Sequence, residues 1–249
     1  MKRIITILIL ALGLASCLKE ETVLFSIQEL VTVEGGFLVN DNGLVYKISD
    51  STFEELKEDL MTYSRVQIYA DVVKESDNSA YDYEVKVATY KPVELQDCLV
   101  RSIVKDEELV KDPVKLQAGA ANRKYLNAII QLSYPKNAEY FNGKIDLVYD
   151  DIASSSDTLY FDLRNDSGGM SLENEDFAES DIGVFSLSNI YSFPISQYVP
   201  KDKQSFVVKV RYKWFIKESE DPATGEIKYS RSTEMQSDLL KFPLENQQE

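Results

Sequence analysis

Phe206, Val208, Val210, Tyr212 and Trp214 alternate with Lys209, Arg211 and Lys213, and no other feature of the chain restricts its fold so sharply. Successive side chains of a strand point to opposite faces, so such alternation marks a strand with one face buried. The pattern recurs. Val66, Ile68, Ala70 and Val72 alternate with polar neighbours, as do Tyr83, Val85 and Val87. The runs Leu126 to Leu132, Ile145 to Tyr149 and Leu159 to Leu163 follow the same rule. Many short strands with little helical spacing predict an all-β protein, a barrel or a sandwich.

Turn residues separate these runs. Asn40-Asp41-Asn42-Gly43 between two apolar triplets predicts a hairpin, because Asn and Gly tolerate positive φ. Asn142-Gly143, Ser167-Gly168-Gly169 and Asp221-Pro222-Ala223-Thr224-Gly225 predict further turns. One short helix is expected: Ser51 with Glu54, or Thr52 with Glu55, has capping-box spacing, and Phe53, Leu56 and Leu60 then share a face.

The amino terminus carries a different signal. Lys2-Arg3 precedes an apolar run from Ile4 to Leu14, too short to span a bilayer and suited to an export signal. Leu14-Ala15-Ser16-Cys17 closes it and resembles the lipobox of bacterial lipoproteins. That resemblance implies cleavage before Cys17 and acylation of its sulfur and new amino group, a firm anchor because each buried methylene contributes ~0.8 kcal/mol. Leu18-Lys19-Glu20-Glu21 resembles the surface-export signal of Bacteroidota lipoproteins, which implies an outer-membrane location facing outward.

Removing residues 1–16 takes Lys2 and Arg3 away and moves the formal charge from −15 to −17. So acidic a chain is expected to bind no nucleic acid, since phosphate binding needs clustered Lys and Arg. The chain has no histidine, which removes the commonest general base and most zinc or iron sites. Cys98 is the one thiol left beside Cys17, and its apolar surroundings predict a small buried side chain. No cofactor, no metal and no enzymatic activity are expected.

The stretch from Lys105 to Ala121 is charged, then rich in small residues, and has no clear alternation. It sets the expected organisation: leader 1–16, tether 17–23, N-terminal domain 24–105, linker 106–121, C-terminal domain 122–244 and tail 245–249.

Several motifs, taken together, resemble the NigD-like lipoproteins of Bacteroidota. They are the hairpin from Phe37 to Val45, Arg65-Val66, the run Tyr81 to Val87, Tyr125-Leu126-Asn127, Ile145 to Asp151, Leu163 to Asp166 and Ser192 to Ile195. The resemblance implies an N-terminal OB-like barrel followed by a C-terminal β-sandwich. It also implies a binding role, because the family takes its name from a protein encoded beside a bacteriocin and proposed to confer immunity to it. Two departures stand out: Tyr63-Ser64 replaces a turn glycine, and Asn165 replaces a histidine common after the Leu-Arg pair.

The candidate sites have ordinary competing explanations. Ser102-Ile103-Val104-Lys105 and Ser133-Tyr134-Pro135-Lys136 match S-x-x-K but lack the helix start that catalysis requires. Glu173, Glu175, Asp176, Glu179 and Asp181 could offer oxygen ligands to Ca²⁺, yet acidic loops are usually just solvated. Asp150 and Asp151 are adjacent on a strand and so point apart. Lys209, Arg211 and Lys213 share one face, either pairing with carboxylates on neighbouring strands or forming a docking surface for an anionic glycan or an acidic partner. Tyr63, Tyr69, Tyr81 and Tyr90 are split between core packing and a stacking platform. The expected role is binding another protein at the cell surface, a protein toxin in bacteriocin immunity or another envelope protein, with an accessory surface glycan-binding lipoprotein as the alternative.

Overall fold

The computed structural model describes residues 22–77, 79–104, 112–135, 144–166, 176–178, 182–203, 205–231 and 236–241. The leader, Cys17 and the tail lie outside the described residues, as do the turns at Asn142-Gly143 and Ser167 to Gly169. The chain divides into two compact units, Met1–Lys91 and Pro92–Glu249.

The first unit is a closed five-stranded barrel. Its strands are β1 (Phe25–Glu34), β2 (Phe37–Asn40), β3 (Val45–Ile48), β4 (Arg65–Glu75) and β5 (Tyr83–Pro92), in the order β1-β2-β3-β5-β4. Strand β1 pairs antiparallel with both β2 and β4, while β3 and β5 run parallel. Closure leaves no open sheet edge, and the order is that of an OB-like fold. Val66, Ile68, Ala70 and Val72 of β4 are all buried, as their alternation requires. At the hairpin between β2 and β3, Asn40 Oδ1 accepts from the N–H groups of Asn42 (3.0 Å) and Leu44 (2.9 Å), and Gly43 takes φ +91°.

Helix α1 (Glu54–Leu60) is present, but its expected cap is not used. Phe53 occupies the N-cap position without a side-chain cap. The hydroxyls are engaged elsewhere: Thr52 Oγ1 accepts from Val87 N–H at 3.1 Å, and the Ser49 and Ser51 hydroxyls bond to each other at 2.9 Å. Leu60 is buried and Leu56 half-buried, whereas Phe53 faces solvent.

The second unit contains a sandwich. A four-stranded sheet, β6-β13-β9-β8, and a five-stranded sheet, β17-β14-β11-β10-β7, enclose one apolar core. The strands are β6 (Glu94–Leu95), β7 (Leu99–Val100), β8 (Val114–Ala121), β9 (Tyr125–Pro135), β10 (Lys144–Tyr149), β11 (Thr158–Asp166), β13 (Ile182–Pro194), β14 (Val207–Tyr212) and β17 (Gln236–Lys241). A separate three-stranded sheet joins β12 (Asp176–Ala178), β15 (Phe215–Glu220) and β16 (Ile227–Arg231). The predicted turn at Asp221 to Gly225 closes β15 on β16, with Gly225 at φ +73°.

Two expected boundaries need correction. The division falls after Lys91, so residues 92–105 belong to the second unit and not to the N-terminal domain. Strands β6 and β7 there add parallel edges to β13 and β10, but two residues each are too few to display a period. The expected linker 106–121 in fact supplies β8, antiparallel to β9, with Val114, Leu116 and Ala121 buried. A register shift between Leu116 and Ala118 breaks the alternation, which hid the strand. Its small residues serve packing: a Cβ on Gly119 would lie 3.2 Å from Leu240 Cδ1 and 3.3 Å from Asn127 O.

Candidate functional site

Strand β11 sends Leu159, Phe161 and Leu163 into the core and Tyr160, Asp162 and Arg164 to the outer face of the five-stranded sheet. Its parallel neighbour β14 places Lys209 beside Tyr160 and Arg211 beside Asp162. The outer face therefore gathers charge from two strands, and two turns complete it. Arg101 follows β7, its N–H donating to Tyr149 O at 2.9 Å, and Asp150 follows β10, its N–H donating to Tyr160 O at 2.9 Å.

Here three arginines meet two aspartates. Asp162 Oδ1 accepts from Arg211 Nε at 2.5 Å, and Oδ2 accepts from Arg164 Nη2 at 3.1 Å and from Arg101 Nη2. Asp150 Oδ2 accepts from Arg211 Nη2 and lies 3.3 Å from Arg101 Nε. Asp150 Oδ1 caps its own turn, accepting from Ile152 N–H (3.2 Å) and Ala153 N–H (3.0 Å). Burial pushes the Asp150 carboxyl up, but the bonds from Arg211 and Ala153, with the charges of Arg211 and Arg101, outweigh it and hold it below the ordinary carboxylate value.

The stripe read from the sequence thus splits. Arg211 is engaged with both aspartates, as the pairing explanation expects, and its guanidinium carbon stands 5.3 Å from the Tyr160 ring centre. Lys209 Nζ stands 5.7 Å from the same ring, a cation over an aromatic face. Lys213 lies beyond the end of β14, where its carbonyl accepts from Val114 N–H at 2.8 Å. Asp146, opposite Arg164, is held by Lys144 at 2.7 Å. Lys209 adds a cation beside these ion pairs, on a chain of net charge −15.

Exposed apolar side chains lie on the adjoining strand and turns. Leu239 on β17 pairs with Lys209 and is 63 % exposed, while its neighbour Leu240 faces the core. Ile103 and Ile152, 79 % and 77 % exposed, sit in the turns that hold Arg101 and Asp150. Those turns are joined by Ser102 N–H donating to Asp151 Oδ1 at 3.0 Å. The sequence reading missed Arg101, Arg164, Leu239 and the role of Asp162. The alternation of Tyr160, Asp162 and Arg164 along β11 was the available signal, once β11 was known to lie beside β14.

Other candidates dissolve into structure. Asp150 and Asp151 part company, one in the arginine cluster and one on the Ser102 turn. The tyrosines form separate groups: Tyr63 packs on Tyr90 at 5.6 Å, whereas Tyr81 stacks on Phe37 at 6.2 Å. Tyr69 instead bonds to Gln28 and Gln67. Cys98 is half-buried against the core, its Sγ–H directed at Pro194 O at 3.5 Å, and burial with Asp97 nearby pushes its thiol up to about 12. Of the acidic loop only Asp176 is described, and Lys105 and Lys136 of the two S-x-x-K motifs lie outside the described residues. Among the described residues there is no group of three or more Asp, Glu or Cys able to hold a metal ion, and no helix long and apolar enough to cross a membrane.

Comparison with known proteins gives likeness of fold. No family model matches the chain, and no curated protein sequence matches it. Solved structures do. A DUF1344 protein of unknown function from Bacteroides vulgatus aligns at 16 % identity over 89 % of this chain and 93 % of that one, with a TM-score of 0.57. A protein from Bacteroides fragilis, provisionally named a lipoprotein, aligns at 11 % identity over 90 % and 99 %, with a TM-score of 0.50. A NigD-like immunity protein from Bacteroides caccae aligns at 16 % identity over 82 % and 90 %, with a TM-score of 0.44. At such identities the likeness concerns the fold.

Proposed function

We propose that this chain is a non-catalytic, lipid-anchored envelope protein that binds another protein through the outer face of its five-stranded sheet. The observation that carries the reading is the composition of that face. Exposed Leu239 lies opposite Lys209, and exposed Ile103 and Ile152 lie in the turns beside Arg101 and Asp150; protein interfaces are enriched in Arg, Tyr and large apolar residues. Exposed aliphatic side chains grouped around a rigid charged centre are more informative than the same residues scattered singly. The absence of histidine and the capture of Asp150 and Asp162 by arginines support a non-catalytic role.

The anchor reading is supported by the Cys17 lipobox and by the lipoprotein name of the Bacteroides fragilis neighbour. The name of the Bacteroides caccae neighbour, a NigD-like immunity protein, belongs to the same finer reading, in which the partner is a bacteriocin. Outer-membrane, outward-facing placement completes it.

The test is a genetic replacement in the source bacterium. Deletion of the gene sensitises the cell to a sibling strain's bacteriocin, wild-type chain restores resistance, and chain carrying Leu239→Asp with Ile152→Asp does not despite equal abundance. Unchanged sensitivity across a broad toxin panel overturns immunity. Saturable hits of the soluble chain on a glycan array, unaffected by those substitutions, overturn the proposed face and favour glycan binding.

A further inference from the structure

We propose that the start of β1 is a membrane-docking edge, at which Val23, Leu24 and Phe25 press into the interfacial layer of the bilayer that holds the anchor. The inference rests on the lipid-anchored reading above and assigns a second attachment beyond the acyl chains.

Val23, Leu24 and Phe25 are 50 %, 51 % and 47 % exposed. Consecutive side chains of extended backbone point to opposite sides, so a strand start in water is expected to be polar on at least one side. Here both sides are apolar and both are open. The segment is nevertheless held in place: Leu24 N–H donates to Val72 O at 2.8 Å, and Phe25 pairs with Val72 across β4. Phe25 also stands edge-on to Tyr83, ring centres 5.8 Å apart, and Tyr83 lies 6.2 Å from Tyr46. A fixed apolar edge backed by tyrosine is the chemistry that settles at headgroup level, where one end of an aromatic ring is dry and the other wet.

Chain length selects the occupant. Five residues, Leu18 to Thr22, separate Cys17 from Val23. Fully extended, the six steps from Cys17 to Val23 reach about 20 Å. An acylated Cys17 sits at the bilayer surface, so the exposed edge cannot leave that neighbourhood, and tethering raises its local concentration against the lipid. A second copy or another protein would have to compete with a surface already within reach. Charge narrows the lipid class. Lys19 is outnumbered by Glu20 and Glu21 in the tether, and Asp71 lies on the neighbouring strand, bonded to Ser26 at 2.6 Å. Zwitterionic headgroups suit this edge, and anionic ones repel it.

The experiment uses the whole mature chain from Cys17, with Cys98→Ala so that Cys17 alone reacts, coupled to maleimide-phosphatidylethanolamine in phosphatidylcholine vesicles. The reporter is Phe25→Trp in a Trp214→Phe background. The control is Ser64→Trp in the same background. Ser64 precedes β4, whose strand from Arg65 to Val72 carries it about 25 Å from the Phe25 end. Expected are a blue-shifted emission at position 25 and quenching by acyl-brominated phosphatidylcholine several-fold greater than at position 64. Both effects should weaken when phosphatidylglycerol replaces part of the phosphatidylcholine. Equal quenching at the two positions overturns docking. A blue shift without bromine quenching, accompanied by self-association, assigns the edge to a second copy and also overturns it. Leu24→Trp repeats the measurement if Phe25→Trp perturbs the barrel's circular dichroism. Because the lipid is attached synthetically, the docking result stands apart from native acylation, which mass spectrometry of the natural amino-terminal peptide decides.

Discussion

The barrel and the sandwich unit both bury arginine, and they do so to different ends. In the barrel, Arg65 is wholly enclosed, its Nη2 bonded to both carboxylate oxygens of Asp41 at 2.7 and 2.8 Å and its Nη1 donating to Thr32 Oγ1 at 3.0 Å. The pair ties the β2–β3 hairpin to the start of β4. In the sandwich unit, three arginines share two aspartates on a sheet face, with Arg101 and Arg211 partly open to solvent. A closed pair fixes register. The cluster brings several guanidiniums together on one sheet face.

Breaking the closed pair gives the largest expected effect. Asp41→Ala removes the bidentate carboxylate from a buried guanidinium and is expected to lower barrel stability by about 3 kcal/mol, read as a shift in urea midpoint. Arg65→Met combined with Asp41→Ala should recover most of the loss, because the charge is removed with its partner. In the sandwich unit, Asp162→Asn removes the carboxylate contacted by all three arginines. Partial solvent access to Arg101 and Arg211 limits the expected loss to about 2 kcal/mol.

Acid titration sharpens the comparison next. Asp150 is held below the ordinary carboxylate value of 3.8 in the folded state, so the stability it contributes is present above that value. That stability is lost as pH falls through the lower, folded value. Melting temperature is therefore expected to drop below pH 3.8, and Asp150→Asn should flatten that drop while lowering stability at neutral pH. Gly43→Ala asks how far the hairpin rests on backbone freedom. Its φ of +91° with no steric neighbour predicts a loss of about 1 kcal/mol from conformation alone, measured by thermal melting. Leu239→Ser, on the exposed face, should change stability by less than about 0.5 kcal/mol and abolish partner binding.

How much of this could be read in advance depended on local periodicity. The β4, β11 and β14 runs were legible because a buried face needs every second residue apolar, and the Asn40 turn because its glycine needs positive φ. Strand β8 was not, since a register shift interrupts its alternation and Gly119 is small to make room for Leu240. Thr52 looked like a helix cap until Val87 claimed its hydroxyl. The candidate stripe was half legible: Lys209 and Arg211 were seen on one face, but their partners are Tyr160, Asp162 and Asp150, distant in sequence.

By itself the sequence determined the all-β class, the hairpin at Asn40 to Gly43 and the want of histidine chemistry, because each depends on residues adjacent in the chain or on composition. Tertiary structure decided the closure of the barrel, the incorporation of residues 92–121 into the second unit and the assembly of the arginine cluster. Those outcomes depend on which strand lies beside which. Backbone hydrogen bonding is much the same for any pair of strands, so the choice of neighbour rests on side chains that meet only once the chain has folded.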